Sequence, residues 1–270
     1  PRSCDSICDD IFDMCIKLCE QANISYSDIE SIGVGCPGII QNGVVKFAGN
    51  LHFTDEPLAE LLTAKANKPV ALCNDGSAAA YGEYICGAGK GRSSLIAVTI
   101  GTGIGGGIII NGKIFEGFNN AGSEIGHIII EKDGRQCGCG NKGCFEAYCS
   151  AMGVARTARE WLELTGEPSV LRNLDSIASK DVYEAAREGD KLALKIFEFT
   201  GKILGRSFAD FIAFSAPEAI VLFGGLARAK EFLTGPIEES MNANVLPLWR
   251  NKVKVVYSEL KESDAAILGA

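Results

Sequence analysis

The sequence has no excess of positive charge. Its 26 lysines and arginines face 34 aspartates and glutamates, a net charge of −8. That field repels phosphate backbones, so nucleic acid is not an expected partner of this region. No apolar run reaches the roughly 18 residues a spanning helix needs, and Ile108-Ile109-Ile110 is only strand-sized, so no membrane partner is expected either. There is no low-complexity segment and no exact repeat. With 47 % hydrophobic and 22 % charged residues, disorder is excluded as the dominant state. No secretion-signal pattern occurs within the sequence, and the cysteine total, 11, is odd. Together these argue against a disulfide framework and for a reducing, cytoplasmic compartment with free thiols and a bound metal. What the chain has in quantity is glycine, 32 residues of 270, a length that suits one large or two small domains.

Periodicity divides the chain into alternating elements. Cys4, Ile7, Cys8, Ile11, Met14, Cys15, Leu18 and Cys19 fall at helical steps, so a first helix with core-facing thiols is expected. Cys36, Cys73 and Cys86 read the same way, as thiols in or beside apolar elements. Short strands are expected at 31–36, 44–47 and 69–73, with helices opening at Pro57 and at Ser77. That alternation implies a βαβ region with a largely parallel sheet. From 94 to 115 the pattern becomes an antiparallel meander with an Asn111-Gly112 hairpin signal. Then come a helical stretch from 146 to about 215, a buried strand at 219–223, a strand at 252–257 and a cap at Ser263-Asp264. Both ends fall inside elements, as expected of a piece of a longer chain.

The strongest local signal is His127 with Cys137-Gly138-Cys139 and Cys144. Soft sulfur and imidazole donors, four in number, suit tetrahedral Zn²⁺, and Gly138 permits the tight turn a Cys-x-Cys pair needs. With all four positions filled by protein, the ion is expected to be structural, tying a strand that carries His127 to the loop. Glu124 and Glu146 flank this cluster, where carboxylates held in place suit recognition of sugar hydroxyls, and Asn50 adds a group that both donates and accepts.

Gly101-Thr102-Gly103-Ile104-Gly105-Gly106 lies between two strands, where backbone N–H groups can approach phosphate. It lacks the lysine of a P-loop and opens no helix, so neither that motif nor the dinucleotide fingerprint fits. Gly224-Gly225 makes a second close-approach junction after a buried strand. Asp75 stands at a strand's carboxyl end and a helix start, where ligands gather in open α/β sheets. A helix N-terminus keeps such a carboxylate ionised and ready to accept a proton, while a plain N-cap aspartate would look the same in sequence.

Taken together, Cys-Gly-Cys-Gly-Asn-Lys-Gly-Cys-Phe-Glu (137–146), Glu-Ile-Gly-His (124–127), Gly-Thr-Gly-Ile-Gly-Gly-Gly (101–107), Asn-Asp (74–75), Pro-Gly (37–38), Asn-Leu (50–51) and Leu-Phe-Gly-Gly (222–225) resemble one family. It is the ROK family of bacterial sugar kinases and sugar-responsive repressors, and the run Glu146–Arg159 is most similar to its glucokinases. The resemblance implies a two-lobed α/β, actin-like ATPase (ribonuclease H-like) fold with an interlobe cleft. The small lobe would be 1–92, lacking its N-terminal strands. The large lobe, 93–270, would hold the phosphate loop, zinc loop and adenosine site. It also implies ATP-dependent transfer of the γ-phosphoryl to the 6-hydroxyl of glucose, with Mg²⁺ accompanying ATP and Zn²⁺ held structurally. Asp75 would be the general base. Gly38, Asn50, Asn74, Glu124, His127 and Glu146 would bind the sugar with Asp75. Gly101, Thr102, Gly103, Gly105 and Gly106 would cradle phosphate, and Gly224 and Gly225 the adenosine. Members commonly form homodimers. The alternatives are a repressor domain, or a kinase for N-acetylmannosamine, N-acetylglucosamine or fructose. The family's opening Asp-x-Gly-Gly-Thr hairpin has no counterpart here, and its strands and its contacts to ATP and Mg²⁺ are expected from a segment before Pro1.

Overall fold

The computed structural model describes residues 2–261 and 264–270. The chain opens with helix α1 (Cys4–Ala22), followed by strands β1 (Ile32–Cys36), β2 (Ile39–Gln41), β3 (Val44–Ala48) and β4 (Phe53–Glu56). Helix α2 (Leu58–Ala66), strand β5 (Val70–Asn74) and helix α3 (Asp75–Ile85) complete the first part. β1 and β5 pair in parallel, whereas β2-β3-β4 form a small antiparallel sheet. Cys4, Cys8 and Cys19 of α1 are buried as the spacing predicts, and Cys4 and Cys8 join Leu58, Leu62 and Val45 in one cluster, whereas Met14 and Leu18 of the same stripe are exposed and Cys15 is half-buried. Cys86, by contrast, is exposed.

A meander follows, β6 (Leu95–Ile100), β7 (Ile104–Ile110) and β8 (Lys113–Ile114). Helices α4 (Glu146–Cys149), α5 (Ala151–Leu164), α6 (Ser179–Arg187) and α7 (Lys191–Ser215) come next. Strand β9 (Ala219–Phe223), helix α8 (Lys230–Asn244), strand β10 (Lys254–Tyr257) and helix α9 (Asp264–Gly269) end the chain. These strands form a five-stranded sheet in the order β10-β9-β6-β7-β8, with β9 parallel to both β10 and β6. β9 is buried at every residue, as a central parallel strand covered on both faces must be. Phe145 packs edge-on against Phe208 and Phe211 of α7, which anchors the start of α4 to the main core.

The last helix returns to the first part of the chain. α9 packs against α3 and β1. The approach is close enough that a Cβ at Gly82 would strike the backbone of Ala265. The cap expected at Ser263 lies outside the described residues. No helix among the described residues is long and apolar enough to cross a membrane.

Candidate active site

β5 ends in Asn74, and that residue, not Asp75, caps α3. Its Oδ1 accepts from the Ser77 N–H (3.0 Å) and its Nδ2 donates to the Gly38 carbonyl (3.0 Å). Asp75 is thereby released from capping. It occupies the first helical turn, with its side chain free to face the cleft. Among the described residues, one of its oxygens has a local donor, Oδ1 accepting from the Gly76 N–H at 2.9 Å. The helix thus starts two residues earlier than the sequence reading at Ser77, because the Asn74 side chain supplies the cap.

Asp75 opens on a cleft of about 490 Å³, a size suited to a small polar ligand. The carboxyl ends of β1, β5, β6 and β9 all lead to it. Gly38, Asn50, Asn74, Gly101, Thr102, Gly103, Gly105, Gly106, Glu124, Glu146 and Gly224 line it with Asp75. The glycine segment is tighter than the sequence suggests. The turn is Gly101–Gly103, closed by Gly101 N–H donating to the Gly103 carbonyl (3.0 Å), and Ile104, Gly105 and Gly106 already belong to β7. The pairing of Ile100 with Ile104 leaves only three residues for the turn, so two of the glycines serve as strand residues without side chains at the cleft wall. Gly224 lines the cleft and an adjoining cavity of about 390 Å³. Gly225 instead faces a third cavity beside Tyr183 and Arg187.

Sequence reading missed Gly76, Gly122, Ser123, Thr99, Phe223 and Ala266 in this lining. Ser123 has φ 71°, in the left-handed region, and its Oγ donates to the Phe115 carbonyl (3.2 Å). Nothing in a serine's identity announces that conformation. Gly122 and Ser123 could have been found only by their adjacency to Glu124.

Burial pushes the Cys36 thiol up to about 11, with the Asp75 charge adding to the effect, and burial raises Cys73 likewise. Thiols held protonated are poor nucleophiles, so the two cysteines nearest Asp75 offer no covalent chemistry at neutral pH.

The metal cluster is assembled beside the cleft. His127 sits on a short 3₁₀ turn, Ile125–His127, rather than on the strand expected from sequence, because the chain after β8 runs as a loop until that turn. One donor atom each from His127, Cys137, Cys139 and Cys144 lies within 4.8 Å of the others. Cys139 Sγ and Cys144 Sγ are 3.6 Å apart, and Cys137 Sγ is 3.8 Å from His127 Nδ1. A zinc tetrahedron with bonds near 2.3 Å has edges of about 3.7 Å, so number, chemistry and spacing of the donors fit that ion. Gly143, at φ 81°, lets the loop fold back where any Cβ would strike the Glu131 carbonyl. His127 does not line the cleft. Its link to it is Glu146, whose Oε1 lies 3.7 Å from Nδ1 and accepts from the Cys137 thiol at 3.0 Å. The other oxygen, Oε2, faces the Ile104 N–H of β7 at 3.4 Å. Glu146 therefore stands between the metal cluster and the glycine turn.

Two outcomes follow from these contacts. Asn74→Ala removes the cap and the Gly38 tether together. It should cost about 1 kcal/mol, read as a fall in Tm of about 2–4 °C. Glu160 supplies the second. Burial opposes its charge, but hydrogen bonds from Arg156 and Arg135 outweigh that and hold its carboxyl below the usual value of 4.5. A depressed folded value gives stability above the unfolded pKa that is lost as pH falls through the folded one. Glu160→Gln should therefore flatten the decline of Tm between about pH 5 and pH 3, with both proteins converging at the acid end.

The fold and cleft define a two-lobed α/β protein of the actin-like ATPase class, with a carboxylate at a helix start facing a glycine turn. The ROK family model matches residues 1–270. A glucokinase of Thermotoga maritima is 36 % identical, over 94 % of this chain and 83 % of that one. The structure of a ROK family glucokinase from Streptomyces griseus, in complex with glucose and AMPPNP, superposes with a TM-score of 0.79 at 33 % identity, covering 95 % of this chain and 86 % of that one. A ROK family transcriptional regulator, a homologue of the E. coli MLC protein, superposes at 0.87 with 27 % identity, over 98 % of this chain and 67 % of its own. The chain belongs to the ROK family.

Proposed function

We propose that this protein is an ATP-dependent hexokinase of the glucokinase type, transferring the γ-phosphoryl of ATP to the 6-hydroxyl of glucose. The observation that carries this reading is the placement of Asp75. Its carboxylate stands at a helix start in the cleft, uncommitted to capping, and the Gly101–Gly106 segment lines the same space. In this reading the sugar lies among Gly38, Asn50, Asn74, Glu124 and Glu146, with its 6-hydroxyl toward Asp75, which takes the proton as the oxygen attacks phosphorus. The Gly101–Gly106 segment faces the phosphates, which meet those of its N–H groups not already bonded (that of Gly101 closes onto the Gly103 carbonyl), and Gly224 borders the nucleoside while Gly225 faces the neighbouring cavity. ATP enters as its Mg²⁺ complex, in which the cation neutralises charge on the phosphates. His127, Cys137, Cys139 and Cys144 would hold Zn²⁺, which fixes the loop that presents Glu146. His127, which does not line the cleft, would act on the sugar through Glu146 rather than by direct contact.

The same reading divides the chain near residue 92 into a small and a large lobe, with α9 reaching back across the boundary. It makes the protein a homodimer in a reducing, cytoplasmic compartment. A second reading, a sugar-sensing repressor domain, is favoured by the likeness to the transcriptional regulator. The glycine turn beside Asp75 weighs against it, since a sensor that transfers no phosphoryl group needs no phosphate cradle. Coupled ADP release from the full-length protein across glucose, fructose, N-acetylmannosamine and N-acetylglucosamine separates the two. Turnover that is fastest with glucose is the expected result. Tight sugar binding without ADP release would establish the sensor instead.

A further inference from the structure

Arg135 lies two residues before the first cysteine of the metal cluster and does not line the cleft. Its side chain is nonetheless only 8 % exposed, and an arginine is not buried without partners. Nη1 donates to the carbonyls of Ala147 (3.2 Å) and Gly153 (3.4 Å). Nη2 donates to Glu160 Oε2 (2.5 Å), and the guanidinium lies 4.6 Å from the Tyr148 ring centre. The backbone N–H of the same residue donates to the Tyr148 hydroxyl (2.9 Å), while its carbonyl accepts from Gly143 N–H (2.8 Å) across the metal loop. One residue thus grips both stems of that loop, helix α4 and the start of α5.

The helix it grips is the one that begins with Glu146. α4 is four residues long, a single turn, too short to be stable by itself. Its carbonyls have few intrahelical partners, and Arg135 supplies one to Ala147. On the opposite side the same corner meets the phosphate turn, through Ala151 N–H donating to the Gly101 carbonyl (2.9 Å) and Ile104 N–H facing Glu146 Oε2. A shift of α4 therefore moves the Glu146 carboxylate within the cleft.

We propose that Arg135 is the positioning residue for Glu146: by capping α4 and tying it to the metal loop and to Glu160, it fixes the carboxylate at the place where the sugar is bound. This rests on the reading of the cleft as a sugar site. Because Arg135 touches no substrate, its loss acts through geometry, and displacements of about an ångström are enough to cost an order of magnitude or more.

The test compares full-length wild type with Arg135→Gln and Arg135→Lys, reading zinc content, hydrogen exchange at 146–150, and separate KM values for glucose and ATP. Arg135→Gln is expected to retain zinc, to exchange the amides of 147–150 at least about tenfold faster, and to raise the glucose KM about tenfold or more. The ATP KM and kcat should stay within about threefold. Arg135→Lys should fall between, since an ammonium reproduces the charge but not the planar fork. If the glutamine variant fails to fold, Glu160→Gln, which removes only the counter-charge, should show the same pattern more weakly. Unchanged exchange at 147–150 overturns the proposal, as does an equal rise in both KM values. A wild type that turns over no sugar refutes the sugar-kinase reading alone, and the exchange measurement then decides the role of Arg135.

Discussion

Asp75→Asn is expected to lower kcat for sugar phosphorylation by about 10²–10⁴-fold, the usual contribution of a positioned general base, while leaving sugar affinity within about threefold. The substitution is nearly isosteric and spares the fold for a specific reason. The cap of α3 belongs to Asn74, so the helix keeps its first hydrogen bond when Asp75 loses its charge. The asparagine side chain can still accept from Gly76 N–H, the one local bond that Asp75 makes. What disappears is a carboxylate oxygen able to take a proton. In free-energy terms the loss corresponds to about 3–5 kcal/mol of transition-state stabilisation. The effect should appear almost wholly in kcat, since the asparagine keeps a hydrogen-bonding group for the 6-hydroxyl and loses only the capacity to take its proton. Measured glucose binding by calorimetry alongside initial rates of ADP release checks the split. A variant that loses affinity and rate together would instead make Asp75 chiefly a sugar ligand.

Removing the metal is the second large effect. Cys144→Ser should reduce bound zinc to a small fraction of one ion per chain, lower Tm, and raise the sugar KM by about 10–100-fold, the range typical when the framework of a metal site is disturbed. Cys144 is fully buried and lies two residues before Glu146. A zinc ion held by the cluster would therefore anchor the segment that delivers that carboxylate. Phe145, fully buried against α7, remains to hold the corner, so the variant should fold around a loosened loop rather than collapse. Exhaustive chelation of the wild type should reproduce the phenotype, and zinc restored to the chelated wild type should reverse it, whereas zinc added to Cys144→Ser should not. Metal analysis, a thermal melt and a glucose saturation curve on the three samples give the answer. Full activity after verified loss of zinc would detach the cluster from the sugar site.

Much of the fold is legible in the sequence because its signals are local. The thiol stripe of α1, the apolar run of β9 and the Asn-Asp step after β5 each declare themselves within a few residues. The short strands β2 and β4 do not, since three or four residues leave no period to detect. The candidate site divides in the same way. The glycine turn and the metal ligands are motifs, and the structure brings the four ligands together with spacing that suits zinc. The exact extent of the turn depends on the register between β6 and β7, which only the paired strands determine. The cap at Asn74 is local, to Ser77, but the tether of its amide to the Gly38 carbonyl spans 36 residues of sequence. Ser123 and Arg135 were illegible for the same reason. Each draws its role from long-range partners, Phe115 for one and Ala147, Gly153 and Glu160 for the other.

The most direct test is ³¹P NMR of the full-length protein incubated with MgATP and glucose, beside an identical sample of Asp75→Asn. A growing phosphomonoester resonance of glucose 6-phosphate, matched by ADP and nearly absent in the variant, is the predicted result. ATP left intact by the wild type, or an equal rate of product formation in both samples, would contradict it.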